Sequence, residues 1–118
     1  MKGRGNKFGA KKTPCLYGHM HDSKGESLRC NELHEEESAE RIADLVIQPR
    51  YFFSIDGVKV KGINGHQLRY TPDFAYLDRA TGRTVVEDFK GMRDRAYGVR
   101  SAFFRALYPE IDFRETRA

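Results

Sequence analysis

The clearest strand pattern in the chain lies in residues 67–91, QLRYTPDFAYLDRATGRTVVEDFKG. Residues two apart share one face of a β-strand, and Thr81-Gly82 is typical of a tight turn. Two strands, 67–77 and 83–90, are therefore predicted to pair as a hairpin. In the first strand, alternation predicts one face with Leu68, Tyr70, Phe74 and Tyr76, and a second face with Arg69, Thr71, Asp73 and Ala75.

The second strand of this hairpin carries charges where a core strand is expected. Asp88 and Lys90 share one face and Glu87 lies on the other, so Glu87 is not expected at the same site unless a bulge exchanges it with Asp88. The hairpin brings Asp73 beside Asp88. Buried charges are costly unless they are paired or bind a metal. Two carboxylates and a lysine are the groups that Mg²⁺-dependent phosphodiester hydrolysis requires.

Elements on either side of the hairpin complete the predicted fold. Ser23 followed by Glu26 is a capping-box pattern and predicts a helix over 24–38. Pro49 ends any preceding helix, and residues 50–55 are predicted to be extended. The predicted order is helix, three strands, helix, strand. Further signals are a hairpin or loop at 15–20, a turn at Asp56-Gly57, a helix face with Ala96, Val99, Phe103 and Leu107, a stop at Pro109 and a last strand over 111–114.

Composition sets the class of protein. The 118 residues are 39% hydrophobic, 12% aromatic and 32% charged, which predicts one folded domain and excludes a disordered chain. No run approaches the roughly 20 apolar residues of a membrane span, and no apolar segment follows the basic start. We expect no membrane association and a cytoplasmic location. The two cysteines are expected to remain thiols there.

Charge is distributed unevenly along the chain. Residues 1–12 contain five basic side chains and no acid, so 1–14 is predicted to be a flexible basic arm and 15–118 the single domain. Such an arm is suited to holding a polyanion without reading its sequence, although many arms only aid solubility. Lys7, Lys11 and Lys12 are its candidate nucleic-acid contacts. The acidic stretch 22–44 is interpreted as a solvated helix face.

Several short motifs together resemble a known family. Pro72-Asp73, the hairpin and Asp88-Phe89-Lys90 resemble the PD-(D/E)XK nuclease superfamily, whose restriction-endonuclease-like αβββαβ core, an α/β (α+β) fold with a mixed central sheet flanked by helices, has the predicted element order. Within it the chain is similar to a group of small phage and prophage proteins. The shared segments are Lys7-Phe8-Gly9, residues 21–26, Gln48-Pro49, residues 70–74, residues 85–91 and Tyr108-Pro109-Glu110.

The resemblance implies a metal-dependent endodeoxyribonuclease. Asp73 and Asp88 would hold Mg²⁺ or Mn²⁺, Lys90 would act on the attacking water, and the carbonyl oxygen of Phe89 would complete the ligand shell. Glu26 would be a third acidic ligand from the first helix, and its alternative role is capping alone. Gln48 belongs to the shared pattern without a chemical role.

Substrate and assembly also follow from the resemblance. Similar enzymes resolve Holliday junctions and pair two active sites, which implies a homodimer acting on branched DNA in phage or prophage recombination or replication. From their helical spacing, Arg29 would face the same cleft as Glu26, and Arg93, Tyr97 and Arg100 would form a row beyond Lys90. Arg29, Arg93 and Arg100 are therefore candidate phosphate contacts, with a solvated face as the alternative.

A different class of protein is suggested by the cysteines and histidines. Cys15 and His19 are four residues apart, and so are Cys30 and His34, with His21 nearby. Four such side chains can bind zinc tetrahedrally. They predict, as the alternative, a zinc-stabilised DNA-binding module without catalysis.

Overall fold

A computed structural model describes residues 12–89 and 95–116 of the protein. Two helices flank a four-stranded sheet, and three two-stranded sheets lie outside it. The described elements, in chain order, are β1 (Thr13–Pro14), β2 (Met20–His21), α1 (Lys24–Ser38), β3 (Ile42–Ile47), β4 (Tyr51–Phe52), β5 (Ser54–Ile55), β6 (Val58–Lys59), β7 (Arg69–Tyr70), β8 (Phe74–Asp78), β9 (Arg83–Phe89), α2 (Arg95–Leu107) and β10 (Asp112–Thr116).

The central sheet is mixed and has the strand order β10-β9-β8-β3. Strand β8 runs antiparallel to both of its neighbours, whereas β10 runs parallel to β9 after the crossover through α2. The predicted mixed α+β class is confirmed. Along the chain, the two helices and the four strands of this sheet also follow the predicted order: α1, three strands, α2 and a last strand.

Two apolar clusters cover the two faces of the sheet, because successive residues of a strand point to opposite sides. Val85 faces the cluster that includes Cys30 and Leu33 of α1. The next residue, Val86, faces the cluster that includes Phe104 of α2. The same alternation sends the next two residues of β9, both acidic, to opposite faces.

Helix α1 has the predicted bounds, but its N-terminus departs from the predicted capping box. Ser23 caps the helix, since its Oγ accepts a hydrogen bond from Glu26 N at 3.1 Å. In a full capping box the Glu26 carboxylate would bind the Ser23 backbone N–H in return. Here that carboxylate turns to the ring of His21 instead. The Glu26 side chain is therefore engaged away from the cap.

The first strand of the central sheet lies earlier than predicted. Residues 42–47 form β3 and pair with β8, whereas 50–55 pair only in the small sheets β4-β7 and β5-β6. Gln48 explains the change, since its φ of 54° and the following Pro49 turn the chain out of the sheet. The prediction that 50–55 supplies a core strand is wrong.

Two predicted faces also differ in the structure. Thr71, Pro72 and Asp73 interrupt the predicted strand 67–77, so Tyr70 packs with Phe104 rather than with Phe74. In α2 the buried face contains Ser101 and Phe104, while Val99 and Phe103 are exposed. Phe103 and Phe104 are adjacent, and helical spacing alone does not tell which of them faces the sheet.

The predicted turns are confirmed. Antiparallel pairs flank Thr81-Gly82, Asp56-Gly57 and residues 15–19. We call residues 13–21 the N-terminal hairpin; it begins with Thr13 and Pro14, which were predicted to belong to the basic arm. Neither helix in the described ranges has the length and apolar character of a membrane span.

Candidate metal centre and groove

Asp73 and Asp88 lie side by side, as the hairpin predicted. Phe74 pairs with Glu87, so the residue before β8 is next to the end of β9. Oδ2 of Asp73 accepts a hydrogen bond from the backbone N–H of Phe89 at 2.7 Å. Asp88 is 1% exposed. The half-buried Asp73 and the buried Asp88 therefore lie together at the end of adjacent strands.

The surroundings of Asp73 disfavour its negatively charged form. Burial raises the pKa of Asp73 to about 9, and the neighbouring charges of Asp88 and Glu26 act in the same direction. The Phe89 N–H opposes this shift. A cation stabilises carboxylates that lie this close together, because its charge offsets their mutual repulsion and their oxygens can coordinate it. We call Glu26, Asp73 and Asp88 the carboxylate cluster.

Glu26 reaches this cluster from the first turn of α1. Its side chain is buried, and Oε2 accepts a hydrogen bond from Nδ1 of His21 at 2.8 Å. Burial raises the pKa of Glu26, the His21 contact lowers it, and the charge of Asp88 raises it again. His21 is thus a residue next to the carboxylate site to which the sequence pattern gave no role there, although it lies two residues before the N-cap Ser23.

Asp88 also has a hydrogen-bond donor in the aromatic core. The hydroxyl of Tyr70 donates to Oδ2 of Asp88. Burial is the main reason that the pKa of Tyr70 is raised, followed by the charge of Asp88, so this hydroxyl keeps its proton. Tyr70 therefore fixes one oxygen of Asp88 in the site.

A cavity of about 520 Å³ opens beside Asp88, and we call it the groove. Arg100 and Tyr97 of α2 line it, as the predicted helical row requires. The hydroxyl of Tyr97 contacts Oε2 of Glu115 at 2.7 Å. The groove is lined by one acid, Asp88, and by the two arginines Arg69 and Arg100. Its further lining residues are Asn64, His66, Gln67, Leu68, Tyr70, Thr71 and Ala96.

Arg29 lies on the other face of the sheet. Its Nε and Nη2 bind the Glu87 carboxylate at 2.9 and 2.6 Å, and Nη1 contacts Glu32 at 2.9 Å. Glu87 also accepts a hydrogen bond from Tyr76. The predicted position of Arg29 in the cleft with Glu26 is not observed, because its guanidinium is engaged by the buried Glu87.

The remaining residues singled out in the sequence lie in different places relative to the site. Lys12 is exposed, with its Nζ 3.9 Å from Asp22. Gln48 touches the site through its backbone, since its N–H donates to the carbonyl oxygen of Asp73 at 2.9 Å. Lys90, Lys7, Lys11 and Arg93 lie outside the described residues.

A second cluster adjoins the first on the side of His21. One ligand atom from each of Cys15, His19, His21 and Cys30 lies within 4.8 Å of the others, and we call these residues the Cys/His cluster. His34 is not among them, because its Nδ1 donates to the carbonyl oxygen of Cys30 at 2.9 Å. The predicted quartet is therefore corrected at one position, with His21 in place of His34.

The two thiols of this cluster differ in acidity. Burial raises the pKa of Cys15, but the neighbouring His21 ring and the N–H of Tyr17 outweigh it and lower this pKa to about 6. Burial raises the pKa of Cys30 to about 12, and the adjacent Cys15 adds to the shift. Both cysteines are free thiols.

Fold and site together define a small mixed α+β domain with a buried carboxylate cluster beside an open groove. The chain belongs to the DUF1064 family, described as "Protein of unknown function", whose family model matches residues 5–117. No curated protein and no solved structure matches the chain. The activity is therefore argued from the site itself.

Proposed function

We propose that the protein is a Mg²⁺- or Mn²⁺-dependent endodeoxyribonuclease that hydrolyses phosphodiester bonds in DNA. The observation that carries this proposal is the pair formed by the half-buried Asp73 and the buried Asp88, of which Asp88 lines the same groove as Arg100. Oxygen donors suit a hard divalent cation, and the basic wall suits a phosphate backbone. A merely structural acid would instead be neutralised by a base, as Glu87 is by Arg29.

Some residues of the chain would bind the metal ion, and another would act on the attacking water. Asp73 and Asp88 would hold the ion, with Glu26 and the carbonyl oxygen of Phe89 as further ligands. A bound ion would polarise the scissile phosphate and lower the pKa of its bound water. Lys90 directly follows Phe89 in sequence and would orient the attacking water.

Other side chains position these groups. Tyr70 holds Asp88 by a hydrogen bond, and the N–H of Phe89 holds Asp73. His21 holds Glu26 at Oε2, which leaves Oε1 as the oxygen that would reach the ion. Each ligand thus has a partner of its own, as metal ligands in proteins usually do.

The fold supports the same proposal by resemblance. The order α1, β3, β8, β9, α2, β10 resembles that of the αβββαβ core of PD-(D/E)XK nucleases, with Pro72-Asp73 before the second core strand and Asp88-Phe89 at the end of the third. By the same resemblance we propose a homodimer that acts on branched DNA such as Holliday junctions. Light scattering on the eluting protein would measure its mass in solution.

Cleavage assays test the proposal directly. Labelled four-way junctions, flaps, duplex and single strands are incubated with Mg²⁺, Mn²⁺ or a chelator. We expect cleavage only with a divalent ion, and its loss in Asp88→Asn and Lys90→Ala. Asp56→Asn is the matched control, because Asp56 is exposed in the turn between β5 and β6 and does not line the groove. Cleavage that Asp88→Asn and Lys90→Ala both retain would refute the site.

A non-catalytic DNA-binding module stabilised by zinc is the second candidate function. The Cys/His cluster favours it, but this function gives no role to the adjacent acids Asp73 and Asp88. The same assays separate the two candidates. Tight binding of DNA without cleavage under every ion condition would favour the module.

A further inference from the structure

The Cys/His cluster lies where the N-terminal hairpin meets α1. Cys15, His19 and His21 come from the N-terminal hairpin, and Cys30 comes from the middle of α1. The hairpin consists of two strands of two residues each. Such a hairpin is marginal on its own in water. The N–H of Leu16 donates to Oδ1 of Asn31 at 2.8 Å, and Oγ of Ser27 donates to the carbonyl oxygen of Pro14 at 2.8 Å. A metal ion bound between the hairpin and α1 would add to these contacts.

Distances within the cluster match those of a tetrahedral zinc site. Nδ1 of His19 lies 3.5 Å from Sγ of Cys15 and 3.5 Å from Sγ of Cys30. A tetrahedral Zn²⁺ with ordinary Zn–S and Zn–N bonds separates a sulfur ligand from a nitrogen ligand by about 3.5–3.6 Å. Three of the four ligand atoms are thus already close to the spacing that the metal requires.

His21 supplies the fourth ligand in a prearranged orientation. Its Nδ1–H donates to Glu26, and its buried Nε2 makes no hydrogen bond with the part of the chain that the structure describes. A buried ring nitrogen without a partner is costly unless something binds it. A histidine held by a carboxylate through one nitrogen, with the other left for the metal, is the usual arrangement around protein-bound zinc.

The surroundings of Cys15 also suit a metal-bound thiolate. The backbone N–H of Tyr17 donates to Sγ of Cys15 at 3.4 Å, across the turn that Gly18 forms with a φ of 90°. Hydrogen bonds of this kind favour the charged sulfur. Cys15, His21 and Cys30 are buried, which favours a closed structural site over one that leaves a position for substrate.

We propose that Cys15, His19, His21 and Cys30 bind one structural Zn²⁺ that fastens the N-terminal hairpin to α1. The site is separate from the carboxylate cluster, and its donor set is soft where that of Asp73 and Asp88 is hard. Binding releases the proton of the Cys30 thiol to solvent and leaves both cysteines as thiolate ligands.

Glu26 connects this site to the proposed nuclease centre. It holds His21 through Oε2, and its charge acts on Asp73. Zinc binding would therefore fix Glu26 in position beside Asp73 and Asp88. This last step rests on the proposed function, whereas the zinc site itself does not.

Metal analysis of the full chain tests the proposal. The protein is purified in the presence of a reductant, and its zinc content is measured by elemental mass spectrometry. Co²⁺ is then exchanged into the site. We expect one Zn²⁺ per chain and, with Co²⁺, the visible absorption of a tetrahedral ion with thiolate charge-transfer bands. A wild-type chain without stoichiometric zinc, or with an octahedral Co²⁺ spectrum, would overturn the proposal whether or not any variant folds.

Variants identify the ligands. Cys30→Ser and His21→Gln should each abolish stoichiometric zinc, and Glu26→Gln should lower zinc affinity about 10- to 100-fold. His34→Gln is the matched control, because His34 lies beside Cys30 but binds its carbonyl oxygen. It should keep zinc, and an equal loss in His34→Gln and His21→Gln would refute the assignment. Asp88→Asn should keep zinc while losing cleavage, which separates this proposal from the nuclease proposal.

Discussion

Two neighbouring acids of β9 have opposite environments. Glu87 is fully buried and receives hydrogen bonds from Arg29 and Tyr76. Asp88 points to the other face and lies beside a second acid, Asp73. A buried acid that is paired with a guanidinium has a structural role in the fold. Acids that lie side by side are instead suited to binding a cation. The strand therefore carries a structural acid and a candidate metal ligand in consecutive positions.

Removal of Glu87 is expected to destabilise the protein strongly. Glu87→Ala leaves Arg29 and the Tyr76 hydroxyl without their buried partner, which costs about 3–5 kcal/mol in the free energy of unfolding. Glu32→Ala removes an exposed partner of the same arginine and should cost less than about 1 kcal/mol. Denaturation with urea measures both values. Equal losses in the two variants would contradict the assigned role of Glu87.

Tyr70 offers a test of how the site is positioned. Tyr70→Phe removes the donor to Asp88 and should raise the Mg²⁺ concentration for half-maximal cleavage about 10- to 100-fold. Tyr108→Phe is the control, because its hydroxyl donates to the carbonyl oxygen of Phe52 within the same aromatic cluster. Titration of Mg²⁺ in the cleavage assay compares them. An unchanged Mg²⁺ requirement in Tyr70→Phe would show that Asp88 needs no such donor.

At the scale of elements, the sequence correctly predicted the features that depend on regular strand periodicity and on a tight turn. Alternation in 83–89 correctly separated Glu87 from Asp88, and the Thr81-Gly82 turn correctly brought Asp73 beside Asp88. Periodicity fails where the backbone leaves the regular geometry. The break at 71–73 reverses the face of Tyr70, and no alternation pattern reports such a break.

The other misplaced features depend on tertiary contacts. The carboxylate of Glu26 has two local partners within reach, Ser23 N and His21, and only packing decides between them. His34 and His21 are both near a cysteine in sequence, but the cluster needs the hairpin and α1 in their final arrangement. Long-range geometry of this kind is not encoded in spacing.

The two described helical glycines give an element-scale prediction. A Cβ at Gly25 would lie 2.5 Å from Cζ of Phe89, so α1 can approach β9 here only without a side chain. Gly25→Ala should displace the ring next to Asp88 and lower the free energy of unfolding by about 1–3 kcal/mol. Gly98→Ala in α2 meets no atom within 4 Å and should stabilise the protein by about 0.5–1 kcal/mol. Thermal unfolding checks both signs, and a stabilised Gly25→Ala would contradict the close approach.

At the scale of the whole molecule, the sheet separates a basic groove on the α2 face from the ion pairs on the α1 face. If DNA binds in the groove, Arg100→Ala should weaken binding uniformly across sequences and reduce the slope of log affinity against log salt by about 1. Arg41→Ala, on the α1 face and paired with Glu36, should change neither. Fluorescence anisotropy in a salt series measures the slopes. A larger effect of Arg41→Ala would place the DNA on the opposite face.

The His21 to Glu26 hydrogen bond has a consequence for how the protein can be shortened. A truncated chain that starts at the α1 cap would retain every strand of the central sheet and both helices. It would nevertheless lose His21, whose ring forms the hydrogen bond to Glu26. Deletion mapping would then report an impaired centre although the central sheet is complete, so the N-terminal hairpin belongs to the minimal functional unit.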